Sequence, residues 1–226
     1  MSEYLIAKTP GLPPKEAAWE DPFWESAVTA EVTHFRKESS EHHPPTSVKV
    51  LWGEKRLFVL FRVEDYYVRA VTTEFGGPVW EDSCAEFFVE PVPGKGYFNI
   101  EMNCIGAFLI YHIVDCRRTD SGFEDFTKVT PRDAALLEVA TSFPKGVPLD
   151  PEITEPVTWN IQYSVPYSLF STYLGQEAAP KSGDTWRGNF YKCGDKTSHP
   201  HWGSWNKVGG DLNFHKPEHF GDLRFG

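Results

Sequence analysis

Cys84-Ala85-Glu86-Phe87-Phe88-Val89-Glu90 and Tyr97-Phe98-Asn99-Ile100-Glu101-Met102-Asn103 are joined by Pro91-Val92-Pro93-Gly94-Lys95-Gly96, and the three segments together decide the fold. Both outer segments alternate. In the first, Ala85, Phe87 and Val89 share one face and Glu86, Phe88 and Glu90 the other. In the second, Phe98, Ile100 and Met102 oppose Asn99, Glu101 and Asn103. Short period-two alternation marks a half-buried strand, and the brief Gly/Pro connection makes the pair an antiparallel hairpin. Their polar faces then merge into one surface of acids, amides and Phe88. Such a surface is either a solvated outer sheet face or a sugar platform. Carboxylates and amides pair with vicinal hydroxyls, while an aromatic face covers the apolar side of a pyranose.

The same period recurs along the chain. Leu57, Val59, Phe61 and Val63 alternate within Lys55 to Asp65, and Trp159, Ile161, Tyr163 and Val165 alternate with Asn160, Gln162 and Ser164. From Trp186 to Cys193, Trp186, Phe190 and Lys192 oppose Arg187, Asn189, Tyr191 and Cys193. Turn-rich stretches (Phe75 to Pro78, Phe143 to Pro148) bound these runs, and helical signal is confined to Pro131 to Leu137 and Pro166 to Phe170. Many short strands without alternating helices predict an all-β, two-sheet antiparallel sandwich. No composition break divides residues 1–226, so one domain is expected.

Composition narrows function. A formal charge of −10 excludes the basic footprint that nucleic acid requires. No apolar run approaches the ~18 residues of a spanning helix, so no membrane segment is expected. Met1-Ser2-Glu3-Tyr4-Leu5-Ile6 lacks a signal-peptide pattern, which fits a cytoplasmic protein or a secreted one whose leader has been removed. Cys84, Cys104, Cys116 and Cys193 form no CxxC pair, hence no zinc or redox motif is read from spacing; free thiols are expected over a Cys84–Cys104 disulfide. Aromatics reach 15%, with eight Trp, more than a core alone requires. Trp80 follows a Gly-Gly-Pro turn at a strand entrance, where a ring is readily presented. His199-Pro200-His201 could share a face toward a metal but lacks a third ligand, and His42-His43-Pro44-Pro45 reads as a surface loop.

Val79-Trp80-Glu81-Asp82-Ser83-Cys84-Ala85-Glu86-Phe87-Phe88-Val89-Glu90-Pro91 resembles the W-x-D-S-x-E-x-F strand of family 9 carbohydrate-binding modules. Tyr97 to Asn103 with Gly106, and the ending Phe214 to Phe225, resemble that family's next strand and its terminal P-x-x-F-G-x-L strand. Asp21-Pro22-Phe23-Trp24, Val48 to Asp65, Trp186 to Lys192 and His201 to Trp205 complete the order, so the resemblance covers nearly the whole chain. It implies a jelly-roll or immunoglobulin-like, DOMON-related β sandwich that binds a mono- or oligosaccharide without catalysis, commonly beside a polysaccharide-degrading glycoside hydrolase. It also implies an aromatic clamp made here by Trp80 and Phe214, the latter in place of a second Trp. Glu86 matches a sugar-bonding Glu, Glu101 stands where an Arg is expected, and Tyr191 where a Gln is expected. Arg187 and Asn189, on the Tyr191 face, complete the expected ligand-binding set, with Arg187 either neutralising Glu86 or Glu101 or forming a structural ion pair. No catalytic residue and no cofactor are assigned. Structural calcium is the one ion the resemblance adds, with Asp21 and Asp65 as oxygen donors. Two further function classes compete: a glycoside hydrolase using Glu86 and Glu101 as paired carboxylates, and an interaction module with a degenerate groove. A DOMON-type haem module needs axial ligands in the groove, whereas Met102 alternates inward.

Overall fold

The computed structural model describes residues 2–120 and 122–226. Its strands are β1 (Glu3–Lys8), β2 (Thr29–Glu31), β3 (His34–Phe35), β4 (Thr46–Trp52), β5 (Arg56–Asp65), β6 (Val68–Ala70), β7 (Cys84–Glu90) and β8 (Tyr97–Asn103). They continue with β9 (Phe108–Thr119), β10 (Gly122–Lys128), β11 (Glu138–Thr141), β12 (Leu149–Ile153), β13 (Val157–Pro166), β14 (Thr185–Cys193), β15 (Trp202–Ser204) and β16 (Gly221–Phe225). Two short helices, α1 (Pro131–Ala134) and α2 (Tyr167–Leu174), fall where the sequence predicts helical turns, and Gly175 ends α2 in the left-handed conformation.

The strands make two layers. One runs β10-β9-β8-β7-β14-β16, with β15 beside β14 and β3 beside β15; the other runs β4-β5-β13-β11, with β2 beside β4. A separate two-stranded ribbon pairs β12 with β6. The inward faces meet as the alternation requires. Ala85, Phe87, Val89, Phe98, Ile100 and Met102 of the first layer share a core with Leu57, Val59, Phe61, Val63, Trp159 and Ile161 of the second. Both layers are also covered outside. Phe58 and Leu60 pack with Trp24 on the second, while Phe88, Tyr97, Leu109 and Tyr191 pack with Phe214 and Phe220 on the first.

Strand β1 departs from the antiparallel expectation. Glu3 to Ile6 pair in parallel with Asp222 to Phe225 of β16, and Ala7 and Lys8 pair in parallel with Leu51 and Trp52 of β4. One strand therefore belongs to both layers and seams them. The four cysteines are free, and Cys84 and Cys104 are not partners: Cys84 lies in the outer cluster and Cys104 in the inner core.

Lys192 fulfils its inward alternation and is wholly buried. Its ammonium donates to His201 Nε2 at 2.7 Å and the Cys193 carbonyl at 2.9 Å, and lies 3.7 Å from Asp65 Oδ2. Asp65 also accepts from the Tyr66 amide and the Trp159 indole and pairs with His42 Nε2 at 2.7 Å. His42 stands in a loop without regular structure, whose His43 and Pro45 are exposed, and ties that loop to this network. Burial alone would raise the Asp65 carboxyl, but Lys192, His42 and Trp159 outweigh it and hold the group below its ordinary value. Burial and the adjacent Lys192 push His201 well below the usual histidine range, which leaves a neutral ring to accept from the ammonium. A calcium ion does not fit here, because both Asp65 oxygens already face nitrogen donors and Lys192 supplies the local cation. Asp21 caps the 3₁₀ turn Pro22–Trp24, its Oδ1 accepting from the Phe23 amide.

Candidate functional site

The hairpin of β7 and β8 forms as the sequence predicts, with Glu86 directly opposite Glu101. Its polar face is not bare to water. Strand β9, hairpin partner β10, strand β14 and the 206–216 stretch rise around it and leave a cavity of about 290 Å³. Glu86, Glu101 and Asn99 form the floor. Trp80, Trp202, Phe214, Phe123 and Tyr111 supply aromatic walls, and Arg118, Asp195, Asn213 and His215 add polar groups.

Trp80 is placed by a braced turn. It sits in a 3₁₀ turn, Val79–Glu81, and its carbonyl accepts the Asp195 amide at 3.1 Å while that of Glu81 accepts the Lys196 amide at 2.9 Å. The next residue, Asp82, is fully buried and clasps the incoming chain. Its carboxylate accepts from Arg69 Nη1, the Val71 and Thr72 amides and Asn103 Nδ2, at 2.9–3.0 Å. With the backbone held on both sides, the indole remains 37% exposed. Trp202 enters from β15, opposite Cys193 in the ladder, and its indole N–H donates to Asp195 Oδ1 at 2.7 Å. Phe214 lies flat on Tyr191, centroids 4.2 Å apart and planes 17° from parallel, and is 9% exposed.

The floor pairs two carboxyls that burial makes weaker acids. Burial, reinforced by the facing Glu101, pushes the Glu86 carboxyl well above the ordinary range. Burial raises Glu101 to about 7, against the opposing pull of the Asn99 amide and the Arg118 guanidinium. Asn99 Nδ2 donates to Glu101 Oε1 at 2.7 Å, and Cys193 Sγ donates to Glu86 Oε1 at 3.0 Å. Arg118, at the rim, stacks over the Phe123 ring at 4.2 Å. His215 bonds the Tyr97 hydroxyl at 2.8 Å, and burial lowers it to about 3, so it is a neutral ring.

Of the seven residues the sequence singles out, the cavity gathers Trp80, Glu86, Glu101 and Phe214. The other three are not among its lining. Arg187 lies opposite Glu90, toward the far end of the strand from Glu86, and its guanidinium reaches Glu90 at 3.6 Å and the Phe220 carbonyl at 3.2 Å. That makes the structural ion pair, not the neutralisation of Glu86 or Glu101. Asn189 is fully buried and spends its amide on Asn206, donating to the carbonyl and accepting from the amide at 2.8 Å. Tyr191 is covered by Phe214 and donates to its carbonyl at 3.2 Å, so it backs the wall instead of facing the cavity. Sequence reasoning missed Tyr111, Arg118, Phe123, Asp195 and Trp202. The Arg118–Phe123 region carried little signal, because register shifts around Asp125 interrupt the period of two.

A family profile described as carbohydrate-binding family 9 matches residues 24–225. No curated protein matches the chain. Among solved structures, a candidate carbohydrate-binding protein of Bacteroides uniformis is 27% identical, with 99% of each chain covered and a TM-score of 0.85. A family 9 module of Caldicellulosiruptor kristjanssonii in complex with cellotriose is 12% identical over 99% of this chain and 93% of that one, with a TM-score of 0.64. A family 9 module of the same organism in complex with glucose is 12% identical, covers 98% and 95%, and has a TM-score of 0.63.

Proposed function

This chain belongs to carbohydrate-binding family 9, and from that premise we propose that it holds a mono- or oligosaccharide in the cavity beside Trp80 and performs no hydrolysis. The observation that carries the reading is the lining itself: Trp80, Trp202 and Phe214 share one cavity with Glu86, Asn99, Glu101, Asp195 and Arg118. Aromatic faces cover the C–H side of a sugar ring. Carboxyl, amide and guanidinium groups meet its hydroxyls. A volume of about 290 Å³ lies at the small end of ligand sites, which suits one or two sugar units better than a long stretch of polymer. That modules of Caldicellulosiruptor were solved with cellotriose and glucose supports a glucan-type ligand; a xylan-type ligand is the alternative within the same reading, in which the chain serves a glycoside hydrolase that degrades the polymer.

The carboxyl arrangement supports binding over catalysis. Hydrolysis needs two carboxyls flanking the scissile bond, ~5–10 Å apart. Glu86 and Glu101 instead lie side by side on adjacent strands of one floor, and each is engaged by Cys193 or Asn99.

Calorimetry against glucose, cellotriose and xylotriose tests the proposal. Binding of at least one of them is expected, with affinity falling about tenfold or more in Trp80→Ala and no reducing-sugar release in any sample. Absence of binding across the panel would sink the sugar reading and leave a degenerate interaction module. Turnover lost in Glu86→Gln would establish hydrolysis instead.

A further inference from the structure

Cys84 and Cys193 are direct partners across the β7–β14 ladder, and Glu86 follows two positions along β7 on the same outward face. The two sulfurs and a Glu86 carboxyl oxygen lie within 4.8 Å of one another, and all three residues are buried. No other group of three such residues among those described converges in this way. We propose that Cys84, Glu86 and Cys193 bind a thiophilic divalent cation of the zinc or cadmium class, at the floor of the cavity, with a fourth position open to it.

The geometry suits such an ion. Tetrahedral zinc takes sulfur at ~2.3 Å and carboxylate oxygen at ~2.0–2.2 Å, so ligand atoms end ~3.3–3.8 Å apart. The present spacing reaches that by side-chain adjustment, with Cys193 Sγ and Glu86 Oε1 opening slightly from their 3.0 Å hydrogen bond. Glu86 and Cys193 line the cavity, which provides the path in and the space for a water or a ligand oxygen in the fourth position. Two thiolates and a carboxylate exceed the dication by one negative charge, and the field of the buried Lys192, which is itself paired with Asp65, favours the ionised forms of Cys84 and Glu86. On binding, two S–H bonds and one O–H bond give way to two sulfur–metal bonds and one oxygen–metal bond. Three protons leave to solvent and nothing is oxidised or reduced.

Cadmium titration of the full chain, under a phosphine reductant and in a Cys116→Ser background, tests this through thiolate-to-cadmium charge-transfer absorption. Cys116 is the partly exposed thiol and is removed for that reason. The expected result is a saturable band at one equivalent, displaced by zinc, with affinity that rises with pH. Cys84→Ser and Cys193→Ser should each diminish the band by about half, since one thiolate remains, and weaken binding about tenfold or more, while Cys104→Ser leaves both unchanged. Should the serine variants fail to fold, Glu86→Gln keeps both thiols and should weaken cadmium binding by about tenfold or more with the full band still attainable. A chain without the band, a band undiminished in Cys193→Ser, or undiminished affinity in Glu86→Gln overturns the site.

Discussion

Glu101 holds its proton to a higher pH than an exposed glutamate does. Burial raises its carboxyl to about 7, and burial together with Glu101 pushes the facing Glu86 well above its ordinary range. Below the ordinary value of 4.5 the folded and unfolded chains both hold these protons. Between there and about 7 the unfolded chain has released them and the folded chain has not, so the contribution of these carboxyls to stability falls as pH rises through that window, while the depressed His201 and His215 contribute in the opposite sense. In thermal melts across it Glu101→Gln, which keeps a neutral side chain, should lose the Glu101 contribution, so that its midpoint falls less, or rises more, with pH than that of the parent. A variant profile parallel to that of the parent would refute the assignment. The pairing of Glu86 with Glu101 was legible in the sequence, because two alternating runs around a short turn fix both face and register. Trp202 and Asp195 were not. They reach the cavity from outside the β7–β8 hairpin, held to each other by the indole bond, and that bond has no local sequence signature. Arg187, Asn189 and Tyr191 show the limit from the other side: the right face of a strand says nothing about position along it.

Strands β5 and β14 belong to opposite layers, yet Asp65 at the end of one meets Lys192 near the end of the other. Alternation placed Lys192 inward; its partner was invisible, since a lysine facing the core reads locally as a misfit and only the packed sheets supply the acid. A buried charge left without its counter-charge is costly. Lys192→Met should therefore lower stability by ~3–5 kcal/mol in denaturant unfolding. The double variant with Asp65→Asn should recover part of the loss, because it removes both charges. A loss in the double variant equal to the sum of the losses in Lys192→Met and Asp65→Asn alone would show the two groups to be uncoupled. The clasp at Asp82 illustrates the same principle with backbone donors: a short segment without regular structure is fixed by one carboxylate, and the Trp80 turn follows directly from it.

At the level of the whole molecule, the sandwich class was written in the number of short alternating runs, whereas its closure was not. Strand β1 is short, and it pairs in parallel, so no hairpin turn announces its partners. Its seam joins residues near the two ends of the chain, Glu3 to Ile6 against Asp222 to Phe225, and it also ties β16 to β4. Deleting residues 2–8 should open both ladders at once and expose the inner core, so that unfolding followed by circular dichroism and tryptophan fluorescence no longer shows one sharp cooperative transition. Retention of one sharp transition would contradict this role. The seam has a mechanical consequence as well. Because β1 and β16 run in the same direction, tension applied at the two ends of the chain slides one strand along the other and loads all their shared hydrogen bonds together, instead of peeling them one by one. The pairing that closes the sandwich is thereby also the clasp that pulling must shear before any other strand is loaded.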